Sequence, residues 1–154
     1  MKGRVILLTL AVLFASATVC LAQNPHMGTW KLNEAKSKFS PGAPKNLTVV
    51  YEAAGDSIKV TVDGVDGAGS PTHNEWTGKF DGKSYPVIGD PTADTRAYRK
   101  VNNRTLTLNN KKDGKVTLTG RIVVSPNGKT RTLTTTGRDA KGKRFSNRAV
   151  YDKE

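Results

Sequence analysis

Val116-Thr117-Leu118-Thr119-Gly120-Arg121-Ile122-Val123-Val124 is the stretch that decides the fold class. Val116, Leu118, Ile122 and Val124 share one parity with Gly120, while Thr117, Thr119 and Arg121 take the other. A period of two sends the two sets to opposite faces of an extended strand, whereas a helix would repeat every 3.6 residues. Threonine suits that reading, because its branched Cβ packs well on a pleated surface. The stretch is bounded by Asp113-Gly114-Lys115 and Asn127-Gly128-Lys129. Asp-Gly and Asn-Gly supply the positive φ angles that tight hairpins need.

The same alternation extends outward. Leu47, Val49 and Tyr51 alternate with Thr48, Val50 and Glu52; Ile58, Val60 and Val62 with Lys59, Thr61 and Asp63; Leu106 and Leu108 with Thr105, Thr107 and Asn109. Turn signals recur at 54–56, 63–64, 81–83, 89–91, 102–103 and 141–143. Strands are expected at 28–33, 46–53, 57–63, 73–80, 84–88, 95–101, 104–110, 115–125, 130–137 and 144–152. Nearly all neighbours are joined by hairpin-length links. The expected fold is therefore all-β, an antiparallel up-and-down meander of about eight to ten strands closing into a barrel, since closure removes exposed edges. An open Ig-like sandwich is the structural rival, but it needs long crossovers and only the 34–45 link is long. There Asn33 can cap about one helical turn, Pro41 and Pro44 bar a longer one, and the link is expected to cross one barrel end.

Composition bounds the function. Of 154 residues, 25 are Lys or Arg and 13 Asp or Glu, a net charge of +12. Residues 1–22 have the layout of an export signal: Lys2 and Arg4 first, an apolar run over 5–19, then Cys20-Leu21-Ala22 with small residues at the first and third places. The expected domains are a signal peptide over 1–22 and a single barrel domain over 23–154, placing the protein in the periplasm or outside the cell. An uncleaved anchor is the rival reading. A lipoprotein signal is less suitable, because Val19 stands where a small residue should precede Cys20. Cys20 is the sole cysteine, so the domain after cleavage has no disulfide framework, thiolate metal site or cysteine nucleophile. No second long apolar run is present for a multi-span membrane protein. Leu, Ile, Val and Phe make up only about 17% of residues 23–154, which borders on disordered composition. The sustained alternation argues instead for an ordered domain with a lean core.

Gly28-Thr29-Trp30 opens the first expected strand. It resembles the G-x-W start of lipocalins, fatty-acid-binding proteins and avidins. The wider pattern, with Lys36-Ser37-Lys38-Phe39-Ser40-Pro41 and a closing Ala149-Val150-Tyr151 strand, resembles a group of small secreted bacterial proteins of lipocalin-like (calycin) type and uncharacterised function. The resemblance implies that Trp30 plugs a closed barrel end with an arginine from a late strand stacked over it. Arg148 is the candidate partner, with Arg138 and Arg144 in competition. The chain departs from the pattern in two ways. No C-terminal helix of the lipocalin kind is expected after the closing strand, and the 34–45 link is too short and proline-rich for a two-helix lid.

The implied interior offers Phe39, Tyr51, Trp76, Phe80, Tyr85, Tyr98 and Phe145 as candidate ligand-lining residues, since small-molecule sites are mostly apolar with a few placed polar groups. Alternatively these rings simply fill a small barrel. Gly78 leaves a gap on the face shared by Trp76 and Phe80, open to a ligand or to a ring such as Tyr98 or Phe145. His26 and His73 stand 47 residues apart and suggest no metal site. Asp63, Asp66 and Glu75 near the 64–72 loop lack the ligand order of a calcium loop. No G-x-S-x-G elbow and no distinctive carboxylate pair points to catalysis. The expected function is binding of a small apolar or amphipathic ligand, with no catalysis and no cofactor. The alternative is a packed barrel that binds anionic envelope polymers through Lys and Arg: Lys83, Lys115, Lys129, Lys141 and Lys143 at or beside hairpin tips, with Arg96, Arg99, Lys100 and Arg104 on one hairpin. Neither reading involves nucleic acid or a lasting membrane span.

Overall fold

The structure, a computed structural model, describes residues 23–139 and 141–154; the expected signal peptide lies outside them. Among the described residues ten strands form one closed antiparallel sheet. They are β1 (Gly28–Leu32), β2 (Lys45–Ala54), β3 (Ser57–Val65), β4 (Pro71–Gly78), β5 (Tyr85–Ile88), β6 (Thr95–Asn102), β7 (Thr105–Lys112), β8 (Lys115–Val124), β9 (Thr130–Arg138) and β10 (Arg144–Lys153). Each strand pairs with its sequence neighbours, and β1 closes the ring against β10 through Trp30↔Lys153, Lys31↔Asp152 and Leu32↔Tyr151. This is the expected meander, and its closed form agrees in general with a lipocalin-like barrel.

Local chemistry explains the connections. At the β7–β8 turn Asp113 and Gly114 both take positive φ, 49° and 75°, as the right-handed twist of a two-residue hairpin demands. Gly28 has φ of 102°, which gives the first residue of Gly28-Thr29-Trp30 a backbone reason to be glycine. Strand β5 is the weakest seam, with two register pairs to β4 and two to β6. Its Pro86 has no N–H to give to a ladder.

The 34–45 link does more than cross an end. Glu34–Lys36 form one 3-10 turn, and the Asn33 side chain accepts a hydrogen bond from the Lys36 amide at 3.2 Å. The chain then runs beside β10, where Lys38 bridges Arg148 and the Ser40 amide donates to Asn147 Oδ1 at 2.8 Å. Up-and-down topology groups the connections. One end carries this link, the 66–70 loop and the 113–114 and 139–143 turns. The other carries residues 23–27, the 55–56 turn, the 79–84 link and the 103–104 and 125–129 turns.

The core follows the parity read from the sequence except at two strand ends, where Leu47 and Val116 belong to the inward sets but are exposed, each beside a register shift in its ladder. Val49, Tyr51, Val60, Val62, Trp76, Leu106, Leu108, Ile122, Val124, Ala149 and Tyr151 all point inward and are buried. No helix among the described residues is long and apolar enough to cross a membrane.

Candidate functional site

Residues 23–27 close one end of the barrel. Trp30 is fully buried there, and its Nε1 donates to the His26 carbonyl at 2.9 Å. The cation over the indole is Arg131 of β9, with its Cζ 5.1 Å from the ring centroid. This corrects the sequence expectation. Arg148 is exposed on the outer wall and donates from Nη1 to the Lys36 carbonyl at 3.0 Å. The reason is parity: Asn147, Ala149 and Tyr151 of β10 are buried, so Arg148 between them must face out. Arg131 also lies 5.0 Å from the Tyr51 ring and 4.7 Å from Tyr151, and its Nε and Nη1 have no hydrogen-bond partner. Lys153 Nζ adds a second cation 5.1 Å from Trp30.

His26 completes this plug. Its ring is buried, edge-on to Phe80 with centroids 6.2 Å apart, and neither ring nitrogen has a partner. Burial, and then the charges of Arg131, Lys100 and Lys153, hold its pKa down to about 4. It is therefore neutral at physiological pH. Nothing in the sequence marked it, since it lies outside any strand and has no parity.

The barrel waist is filled by rings. Trp76 and Tyr98 lie 4.7 Å apart, Trp76 and Tyr85 5.8 Å, Phe80 and Tyr98 5.6 Å, and Tyr51 stands 6.4 Å from both Phe80 and Tyr98. The structure thus brings together five of the seven candidate lining residues as rings packed on one another. The space over Gly78 is taken by Tyr85 and Trp76, not by Tyr98 or Phe145. Burial pushes the Tyr98 hydroxyl above its ordinary range and the Tyr151 hydroxyl up to about 12. Phe145 is separate, half-buried against Gly137.

Beyond the waist lies a polar knot. Arg96 donates from Nε to Asn110 Oδ1 at 2.8 Å, from Nη1 to Asn74 Oδ1 at 3.2 Å and from Nη2 to Asp90 Oδ2 at 3.1 Å. Every nitrogen of this buried guanidinium has a partner, so the knot fixes the 89–94 connection to the wall.

Phe39, the seventh candidate, stands apart from the ring cluster. It lines an open cleft of about 710 Å³ between the 34–43 link, the start of β2 and the 66–69 loop. Leu47 and Val65 add apolar wall, while a 2.6 Å ion pair from Lys45 to Glu34 supplies a polar edge. Lys45 Nζ also lies 5.6 Å from the Phe39 ring. Asp66 shapes the loop by accepting from the Ala68 and Ser70 amides, both at 2.9 Å.

His73 lies on the exposed outer face with Nδ1 2.6 Å from Asp63 Oδ1 and Nε2 3.6 Å from Glu75 Oε1. The hydrogen bond it donates to the Asp63 carboxylate raises its pKa. No group of three or more His, Cys, Asp or Glu among the described residues is placed to hold a metal ion. No protein-family model matches the chain, and no curated protein matches it in sequence.

Proposed function

We propose that this is an exported, non-catalytic binding protein that takes a small amphipathic ligand in the cleft beneath the 34–43 link. The carrying observation is the cleft itself: about 710 Å³, within the range of small-molecule sites, at the barrel end that the plug does not close. Phe39, Leu47 and Val65 provide an apolar wall for a short hydrocarbon or ring. Lys45, Glu34 and the backbone of the 66–69 loop provide the polar side for a headgroup. The ring-filled waist limits how far such a ligand reaches inward. Export is supported by the signal-like layout of residues 1–22.

The test is titration with anilinonaphthalene sulfonate, displaced by fatty acids of graded length. Trp30 and Trp76 are at most 1% exposed, so their emission reports on the interior and the dye reports on the cleft. Saturable one-to-one dye uptake, weakened by Phe39→Ala and Leu47→Gln with tryptophan emission unchanged, is the expected result. Absence of saturable uptake, or quenching of tryptophan that ignores both substitutions, overturns the cleft reading.

A further inference from the structure

The charge of the protein is segregated between two halves of its wall. Residues 23–94 carry seven Lys and Arg against nine Asp and Glu; residues 95–154 carry sixteen against four, Asp113 and Asp139 at turns and Asp152 and Glu154 at the end of β10. The ion pairs of the exposed wall follow the same division. Lys45–Glu34, Lys59–Glu75 and Lys79–Asp56 lie on the first half, and Lys112–Asp94 reaches back to it. Among the described residues Arg99, Arg121 and Arg148 have no carboxylate within ion-pair distance.

Strand register turns those three into a row. Arg99 pairs with Thr107, Thr107 with Arg121, Arg121 with Thr134, Thr134 with Arg148, and Arg148 with Lys38 of the link. All three arginines are exposed on the outer face of β6–β10. Neighbouring strands lie about 4.8 Å apart, so successive arginine positions stand roughly 10 Å apart across the sheet. Beside this row runs a second one of short polar side chains: Asn109↔Thr119, Thr119↔Thr136 and Thr136↔Ser146. Further along, Arg138 and Arg144 face each other directly across β9 and β10. Like charges opposed in a sheet cost stability rather than add to it. A chain selected for stability alone has no reason to assemble this face.

We infer that the outer face of β6–β10 is a docking surface for an extended acidic polysaccharide, with Arg99, Arg121 and Arg148 meeting successive carboxylates or sulfates. The spacing fits a polymer with one charge per disaccharide, since two extended pyranose residues span about two strand separations. Thr107 and Thr134 between the arginines, and the Asn-Thr-Thr-Ser row beside them, match the sugar hydroxyls that separate such charges. The residues favour this partner over single-stranded nucleic acid. Tyr98, Phe145 and Tyr151, the aromatics of this half, belong to the inward set and leave no ring on the face for base stacking. A membrane surface is disfavoured too, because among the described residues the exposed large apolar side chains of this half are Val101, Val116 and Val123, with no exposed aromatic or leucine. The inference goes beyond the cleft and is independent of it.

The test uses the protein lacking residues 1–22 and oligomers of hyaluronan, an acidic polysaccharide with one carboxylate per disaccharide, with dextran, single-stranded DNA and phosphatidylglycerol vesicles as comparisons. Binding to the acidic oligosaccharides is expected to fall with salt and to weaken about fivefold for each of Arg99→Gln, Arg121→Gln and Arg148→Gln. The triple variant Lys129→Gln/Lys141→Gln/Lys143→Gln removes as much charge at the hairpin tips as the triple variant Arg99→Gln/Arg121→Gln/Arg148→Gln removes from the row, and is expected to bind almost as the parent does. Thermal melts confirm that each variant folds, and the dye titration of the cleft is expected to be unaffected by Arg121→Gln. Equal losses in the arginine and tip triple variants would reduce the effect to net charge and overturn the inference. So would tighter binding to DNA or vesicles than to the oligosaccharides.

Discussion

The guanidinium of Arg131 lies over the indole of Trp30, its Cζ 5.1 Å from the ring centroid, without a carboxylate to balance it. Its compensation comes from ring faces, since Tyr51 and Tyr151 stand at similar distances. A desolvated cation over a ring is stabilised by about 2 kcal/mol. Three such contacts, from β1, β2 and β10, tie β9 across the barrel at the end where the ring of strands must close.

Removing the indole should therefore be costly. Trp30→Ala is expected to destabilise by roughly 3–5 kcal/mol, because it leaves a large void and exposes Arg131 to a vacant wall. Urea denaturation measures this. A loss below about 1 kcal/mol would mean that the closed end does not depend on the stack.

Acid should loosen the same end through His26. Its folded pKa, about 4, lies below its unfolded value of 6.5, so the unfolded chain binds more protons between these values. The contribution is complete above about pH 6.5 and is lost as pH falls toward 4. The full difference is worth roughly 3 kcal/mol. His73 acts in the opposite sense. Its raised pKa adds stability at low pH that is lost as pH rises through the folded value. Stability measured from pH 7 to 4 in the His73→Gln background should therefore show a steeper fall, and His26→Leu should flatten it. An unchanged slope in His26→Leu would place the acid sensitivity elsewhere.

Gly78 reports on the packing of the waist. A Cβ built there would lie 2.6 Å from ring carbons of Tyr85 and 2.7 Å from Trp76. Gly78→Leu should overpack the cluster and destabilise by about 1–3 kcal/mol, with thermal melting as the measurement. An unaltered melting curve would show that Tyr85 swings aside without cost.

How much of this was legible in the sequence depended on whether local chemistry or closure decided it. The ten strands were legible, because alternation and Asp-Gly or Asn-Gly turns are local. Strand β8, expected at 115–125, spans Lys115–Val124. Facing was legible where apolar residues alternate, as at Val60 and Val62. The partner of Trp30 was not, because Arg131 reaches it only through the Tyr51 and Tyr151 register that closure creates. Parity within β10 already carried the signal against Arg148. The segregation of charge was present in the sequence as counts, but the lysines at turns drew attention to the rims. Only pairing across five strands aligns Arg99, Arg121 and Arg148 in a row.

The two buried arginines make one further prediction, because the same side chain is held in two chemically different ways. Arg96 is surrounded by polar partners: Asn110, Asn74 and Asp90, all largely withdrawn from water. Arg131 is surrounded by rings, and two of its nitrogens have no partner. Methionine is close in length to the aliphatic part of either side chain and carries no charge. Arg96→Met would strand the Asp90 carboxylate and two asparagine carbonyls, each buried acceptor costing about 1–3 kcal/mol. Removing one partner of a buried ion pair costs about 3–5 kcal/mol. Arg131→Met strands no acceptor and relieves a guanidinium of its desolvation, so only the cation–π contribution is lost. Arg96→Met is therefore expected to be the more damaging by at least about 2 kcal/mol, measured by urea denaturation of both variants. The reverse order would mean that the rings hold Arg131 more strongly than hydrogen bonds hold Arg96. In that case the plug, rather than the polar knot, would be the principal tie of the barrel.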